Sequence, residues 1–214
     1  MPPRGRKRKA SAPPRRPPPP RLECRSLTDD AWYDARLLLQ GGSLRVMFQD
    51  YVEELDDWYD PDAAELASPR GVAALRARFR VPSPPLDDTR CGDLRHGQQL
   101  CVLCAMSTGE RMYYDAVLDS VKRAAHGIVD GEERCACRFR VRWTNGPRHG
   151  DLEEVGIGDV CCVQNSPVQD PALSEFLDTL TNSFGKGKGD AMAASQATGA
   201  TLAPGGGEGG TAPV

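Results

Sequence analysis

The chain has 214 residues, 39% of them hydrophobic, and a formal net charge of -3, enough apolar material for the core of one compact domain or two small fused ones. The net charge conceals a polarity, because the first 21 residues carry eight basic side chains, eight prolines and no acid, leaving a tail of about +8 on a body of about -11. An acidic body argues against nucleic-acid backbone binding as the main task and favours a basic partner such as a histone tail.

Residues 1–21 form a Pro/Arg segment that cannot bury enough apolar surface to order itself, and its run Arg4-Gly-Arg-Lys-Arg-Lys9 resembles a nuclear localisation signal. A nuclear protein is therefore expected. Two strand-like runs follow, Ala31 to Leu39 and Leu44 to Tyr51, joined as a hairpin by Gln40-Gly-Gly-Ser43. Between Asp50 and Glu65 lie eight carboxylates and no base, a strongly negative surface. Val72 to Phe79 has the composition of a short helical turn, ended by the Pro82-Ser-Pro-Pro85 break, which reads as a connector between two modules.

The second half again reads as short strands: Gln99 to Met106, Met112 to Lys122, Cys135 to Trp143 and about Val160 to Val163, with turns at Thr108-Gly109, Asp130-Gly131 and Asn145-Gly146. Many short strands imply small barrels. Pro171 to Phe184 reads as a last helix, capped by Asp170 and stopped by Gly185, before a Gly/Ala-rich tail. The expected organisation is a disordered tail over 1–21, one barrel over 22–90, a second over 91–165, a short helix over 166–184 and a disordered tail over 185–214. The longest apolar run, Leu100 to Met106, is too short to cross a bilayer, so no membrane association is expected.

The chemistry concentrates in the cysteines. Eight of them without a secretory signal suit a reducing compartment, where thiols serve metals or cores rather than disulfides. From Arg134 to Trp143 small or apolar residues alternate with arginines, which puts Cys135 and Cys137 on one strand face with Phe139 and Val141. His126 upstream and the Cys161-Cys162 pair downstream offer the remaining ligands of a tetrahedral zinc site, against the alternative that the thiols are ordinary buried small residues. Cys101 and Cys104 have a CxxC spacing, but on a strand that spacing puts them on opposite faces, so they read as core; Cys24 and Cys91 read as structural or incidental thiols. His96 and His149 read as solvated loop residues. Arg138, Arg140 and Arg142 share the face opposite the cysteines and leave open a second reading, a zinc-stabilised nucleic-acid-binding module.

The succession AWYD (31–34), RVMFQDY (45–51), EELDDW (53–58), LCVLC (100–104), YYDAVLDSVKRAAH (113–126), CACRFRVRW (135–143) and VCC (160–162) resembles the SAWADEE domain of plants over roughly residues 22 to 165. The resemblance implies a mainly β fold of two tandem Tudor-like, SH3-like barrels with a structural zinc site in the second. It implies a chromatin reader, not an enzyme, that binds the histone H3 tail with methylated lysine nine and unmethylated lysine four, in RNA-directed DNA methylation or related gene silencing, with silencing-complex proteins as further partners. Mapped onto this sequence, it assigns one zinc ion to His126, Cys135, Cys137 and Cys161. It assigns the methyl-lysine cage to Tyr33, Phe48 and Tyr51, where aromatic faces hold a methylated ammonium by cation-π attraction and desolvation, and the unmodified lysine to Glu23 and Asp34, whose carboxylates accept from a free ammonium. Composition alone leaves the three aromatics as plain core. Phe48 and Tyr51 are three apart, so the chain must bend after Gln49 for both to line one pocket. The tail is far too short for the homeodomain that some members carry, and direct DNA binding is not expected.

Overall fold

The computed structural model describes residues 22–194, with side chains described to residue 184. Both the basic tail and the end of the Gly/Ala-rich segment, 195–214, lie outside the described residues, and so do the expectations made for them.

Ten of the strands form one curled antiparallel sheet, organised as two halves of five. The first half comprises β1 (Leu22–Arg25), β2 (Trp32–Gln40), β3 (Ser43–Phe48), β4 (Asp57–Tyr59) and β5 (Phe79–Arg80), paired in the order β4-β3-β2-β1-β5. The second comprises β6 (Gln99–Ala105), β7 (Arg111–Lys122), β10 (Arg138–Trp143), β11 (Leu152–Val155) and β12 (Val160–Cys162), paired as β12-β6-β7-β10-β11. A separate two-stranded hairpin, β8 (Gly127–Val129) and β9 (Glu132–Arg134), projects between β7 and β10.

The hairpins follow the turn chemistry of the sequence. Gln40 pairs with Ser43 across Gly41-Gly42, and Val129 pairs with Glu132 across Asp130-Gly131, whose φ angles of 53 and 83° are the left-handed pair that a two-residue turn needs. Alternation sets the faces. Along β10, Phe139, Val141 and Trp143 are buried while Arg138, Arg140 and Arg142 are exposed, and the same phase continues back to buried Cys137 and exposed Ala136. The strand itself begins only at Arg138, however, so Cys135-Ala-Cys137 is irregular chain leading into it.

Each half has its own core. Leu22, Leu44 and Val46 pack in the first and Leu100, Leu118 and Phe139 in the second. Helix α1 (Pro69–Arg76) starts three residues earlier than the composition suggests, because Ser68 caps it by accepting the Gly71 N–H at 3.1 Å and Pro69 occupies its first turn. Phe79 leaves that helix and pairs with Cys24 as part of β5. Helix α2 (Pro171–Ala194) is capped by Asp170, which accepts from Leu173 N–H at 3.0 Å, as expected from sequence. Gly185 does not stop it. Leu173, Phe176, Leu177 and Leu180, at helical spacing, are at most 5% exposed and close the first half's core. Burying each of these stabilises the fold by about 1.5–3 kcal/mol.

The halves meet at a polar waist. Strands β2 and β7 share one backbone pairing, Trp32 with Tyr113, and side chains do the rest. The Arg80 guanidinium donates to Glu23 at 2.5 Å and to Asp115 on β7 at 2.6 Å, with its carbon 3.7 Å from the centroid of the Trp32 ring. Asn145 accepts the Asp115 N–H at 2.6 Å and donates to the Asp30 carbonyl at 2.8 Å, tying the two halves a second time. The Pro-rich connector is not loose. Ser83 donates both its N–H and its hydroxyl to Glu23, and Pro85 pairs with Cys161. Among the described residues no helix is long and apolar enough to cross a membrane.

Candidate functional site

Two constellations stand out, a thiol and imidazole cluster in the second half and an aromatic cavity at the junction.

The thiol cluster is assembled by hairpin β8/β9. Since Gly127 pairs with Arg134, the residues just beyond that pair, His126 and Cys135, emerge side by side, and Cys137 follows two residues later on the buried side. The fourth member is Cys91, carried by a 3-10 turn over Asp88–Asp93 that Asp87 caps. One ligand atom from each of Cys91, His126, Cys135 and Cys137 lies within 4.8 Å of the others. A tetrahedral zinc ion with Zn–S of about 2.3 Å and Zn–N of about 2.0–2.1 Å requires S···S edges of about 3.8 Å and S···N edges of about 3.6 Å. The cluster has Cys91 Sγ to Cys137 Sγ at 3.9 Å, and His126 Nε2 at 3.4 Å from Cys91 Sγ and 3.5 Å from Cys137 Sγ. Those edges fit the ion.

Surrounding groups orient the ligands. Glu133 holds His126 Nδ1 at 2.5 Å, which raises the imidazole's basicity and leaves Nε2 aimed at the sulfurs. Asp88 fixes the Cys135 backbone by accepting its N–H at 2.6 Å. The Ala124 N–H donates to Cys137 Sγ at 3.5 Å and, against burial, draws that thiol towards its thiolate form, the form that binds metals. Burial pushes the Cys135 thiol the other way.

Cys161 is not in this cluster, which corrects the ligand set drawn from the family resemblance. It pairs with Cys101 across β12 and β6 and packs against Trp32, with Cys101 and Cys161 forming a small apolar cluster at the waist. Burial raises both thiols well above the ordinary range, as suits inert core residues. The physical reason is positional. Strand alternation turns Cys161 to the Trp32 side, whereas the 3-10 turn places Cys91, 35 residues from His126 in sequence, at the metal position. Nothing adjacent to Cys91 in sequence marked it as a ligand, and Cys135 and Cys137, expected within a strand, precede β10. Cys101 and Cys104 are 2% exposed and belong to different apolar clusters, as opposite strand faces require.

The aromatic cavity, about 180 Å³, is lined by Tyr33, Phe48 and Tyr51 together with Asp29, Leu55 and Met112. Tyr33 stands at 61° to Phe48 with ring centroids 5.4 Å apart, and at 81° to Tyr51 with centroids 5.3 Å apart, so the three rings make the walls of a corner. Phe48 and Tyr51 share that corner because the chain turns sharply between them. Gln49 N–H bonds back to the Asp34 carbonyl at 2.9 Å, and Asp50 has φ of 66°. The Tyr33 hydroxyl donates to Asp29, and burial together with that bond holds its phenol well above the ordinary range.

A neighbouring cavity of about 380 Å³ shares the Tyr33, Tyr51 and Met112 walls and is lined by Glu23, Asp34 and Asp50. Glu23 and Asp34 are register partners on β1 and β2, with Glu23 half-buried against Arg80 and Asp34 exposed. The acidic run beside the cage is partly neutralised, since Arg45 reaches Glu53 at 2.9 Å and Asp56 at 2.6 Å. The arginine stripe of β10 is interleaved with acid: Arg140 lies 3.8 Å from Asp119 and is paired across the sheet with Glu154. His96 and His149 are exposed, and His96 Nδ1 bonds to the Asp119 carbonyl.

Residues 19–161 match the family model of the SAWADEE domain. Among solved structures, the chain is similar to the SHH1 SAWADEE domain crystallised in complex with an H3K9me3 peptide, at 25% identity and a TM-score of 0.50, over 69% of this chain and 100% of that one. It is also similar to a selenium-substituted double mutant of the Arabidopsis thaliana SHH1 SAWADEE domain, at 24% identity and a TM-score of 0.49, over 70% of this chain and 100% of that one. No curated protein matches the chain.

Proposed function

Because this chain belongs to the SAWADEE domain family, we propose that it is a reader of the histone H3 tail, a binding module rather than an enzyme, that takes a methylated lysine nine between Tyr33, Phe48 and Tyr51. The observation that carries the reading is the corner of three rings at 61 and 81° around one small cavity. A methylated ammonium keeps its charge but has lost donors and gained apolar surface, so π faces suit it better than the hydrogen-bond acceptors that suit a free ammonium. The related SHH1 domain was crystallised with an H3K9me3 peptide.

The adjoining acidic cavity supports recognition of an unmodified lysine four in the same tail. Glu23, which also accepts from Arg80 and Ser83, and exposed Asp34 are register partners in its wall, and their carboxylates are acceptors for a free ammonium's donors. Trimethylation there removes all three donors and adds bulk. Zinc held by Cys91, His126, Cys135 and Cys137 has four protein ligands and no open position, which makes its role structural. The protein acts in the nucleus, in RNA-directed DNA methylation or related silencing, and its basic arm serves as an address rather than as a peptide contact.

Titration with four H3 peptides, methylated at neither, either or both of lysines four and nine, tests the reading. The peptide methylated only at lysine nine should bind tightest, and Asp34→Asn should shrink the penalty for methylation at lysine four. Equal binding of all four would show that the rings do not read methylation.

A further inference from the structure

Asp29 lies on the loop that joins β1 to β2, and that loop is fixed by its own hydrogen bonds: Ser26 N–H to the Ala31 carbonyl at 2.9 Å, Asp30 N–H to the Ser26 carbonyl at 3.2 Å and Thr28 N–H to Ser26 Oγ at 3.1 Å. The Asp29 side chain is clamped as well. Its Oδ1 accepts the Ala31 N–H at 3.1 Å and its Oδ2 accepts the Tyr33 hydroxyl at 2.5 Å. The carboxylate therefore stands at a set position in the wall of the aromatic cavity before any ligand arrives. Each carboxylate oxygen has acceptor capacity beyond one bond, so the clamp does not exhaust it.

Resting on the reader assignment, we propose that Asp29 makes the cage count methyl groups and prefer dimethyl-lysine over trimethyl-lysine. The three rings do not distinguish these states sharply, because both ligands are cations with apolar caps. They differ in one atom. A dimethylated ammonium keeps one N–H, a trimethylated one has none, and in a partly desolvated cavity that N–H needs an acceptor. Asp29 is an acceptor already aligned by the Tyr33 hydroxyl, so the dimethyl state forms a charge-assisted bond at little ordering cost. Trimethyl-lysine satisfies the rings and leaves Asp29 without that bond.

Glu110 supplies the internal control. It reaches the same cavity from the β6–β7 turn of the other half, is exposed, and its carboxylate accepts from Thr108 Oγ1 at 2.9 Å. An exposed carboxylate, screened by water, attracts every methylated state alike through its charge.

The test is calorimetric titration of mono-, di- and trimethyl-lysine-nine peptides against the wild type, Asp29→Asn, Asp29→Ala and Glu110→Gln, each checked for folding by its melting curve. The wild type should favour dimethyl over trimethyl by about tenfold, the size of one charge-assisted hydrogen bond. Both Asp29 variants should narrow that ratio markedly, Asp29→Ala to within about twofold, while Glu110→Gln weakens all states and keeps the ratio. Should Asp29→Ala not fold, the wild-type ratio and Asp29→Asn still decide. Equal wild-type affinity for the two states, or a ratio that survives in the folded Asp29 variants, overturns the proposal and leaves the reader assignment standing. A wild type that binds no methylated peptide overturns both.

Discussion

Tyr51 and Phe48 line the same cavity but are held differently, and substituting each separates binding from stability. Phe48 is 8% exposed and packs in the first core, whereas Tyr51 is 50% exposed. Truncating a core phenylalanine costs about 3–5 kcal/mol, and a surface ring away from the core costs about 0.5 kcal/mol. With about 2–4 °C per kcal/mol for a protein of this size, Phe48→Ala should lower the melting temperature by roughly 6–20 °C and Tyr51→Ala by about 2 °C or less. In binding, one aromatic face contributes about 0.5–2 kcal/mol to holding a cation, so Tyr51→Ala should weaken a lysine-nine-methylated peptide between about twofold and thirtyfold and leave the unmodified peptide unchanged. Calorimetric titration alongside thermal melting reads both terms. The reasoning is refuted if Tyr51→Ala binds the methylated peptide as the wild type does, or weakens methylated and unmodified peptides by the same factor.

The metal cluster can be tested by paired substitution: Cys91→Ser should reduce bound zinc well below about one ion per chain and lower the melting temperature, while Cys161→Ser should keep the ion. Metal analysis of the two proteins checks this, and the opposite result would restore Cys161 as the ligand. At the waist, the Arg80 and Glu23 side chains are 10 and 12% exposed, so Arg80→Met leaves a buried carboxylate without its cation and should destabilise the fold by about 3–5 kcal/mol. Denaturant unfolding measures that loss, and a shift below about 1 kcal/mol would mean that the ion pair is solvent-screened. Replacing Lys7, Arg8 and Lys9 with alanine should reduce nuclear accumulation of a fluorescent fusion without changing peptide affinity; a collapse of affinity would place the arm on the binding surface.

The sequence by itself determined the elements whose signals are local. Period-two alternation gave the buried face of β10, Gly41-Gly42 gave a tight hairpin, Asp130-Gly131 gave a turn, and Asp170 gave the start of α2, because each is settled by a few adjacent residues. The bend after Gln49 followed from the family resemblance, which puts two aromatics three apart in one pocket and so requires the strand to break, as it does at Asp50 with φ of 66°. Tertiary structure decided what depends on distant chain segments meeting. Glycine at position 185 looked like a stop, yet α2 continues to Ala194. Cys91 looked incidental because nothing near it in sequence binds metal, and it becomes a candidate ligand only when a 3-10 turn 35 residues away packs under hairpin β8/β9. Cys161 looked like a ligand and is core, because its pairing with β6 points it at Trp32. Spacing states which side chains share a face, but which faces meet is set by how the two halves of the curled sheet close around Arg80 and Asn145, and no local pattern records that.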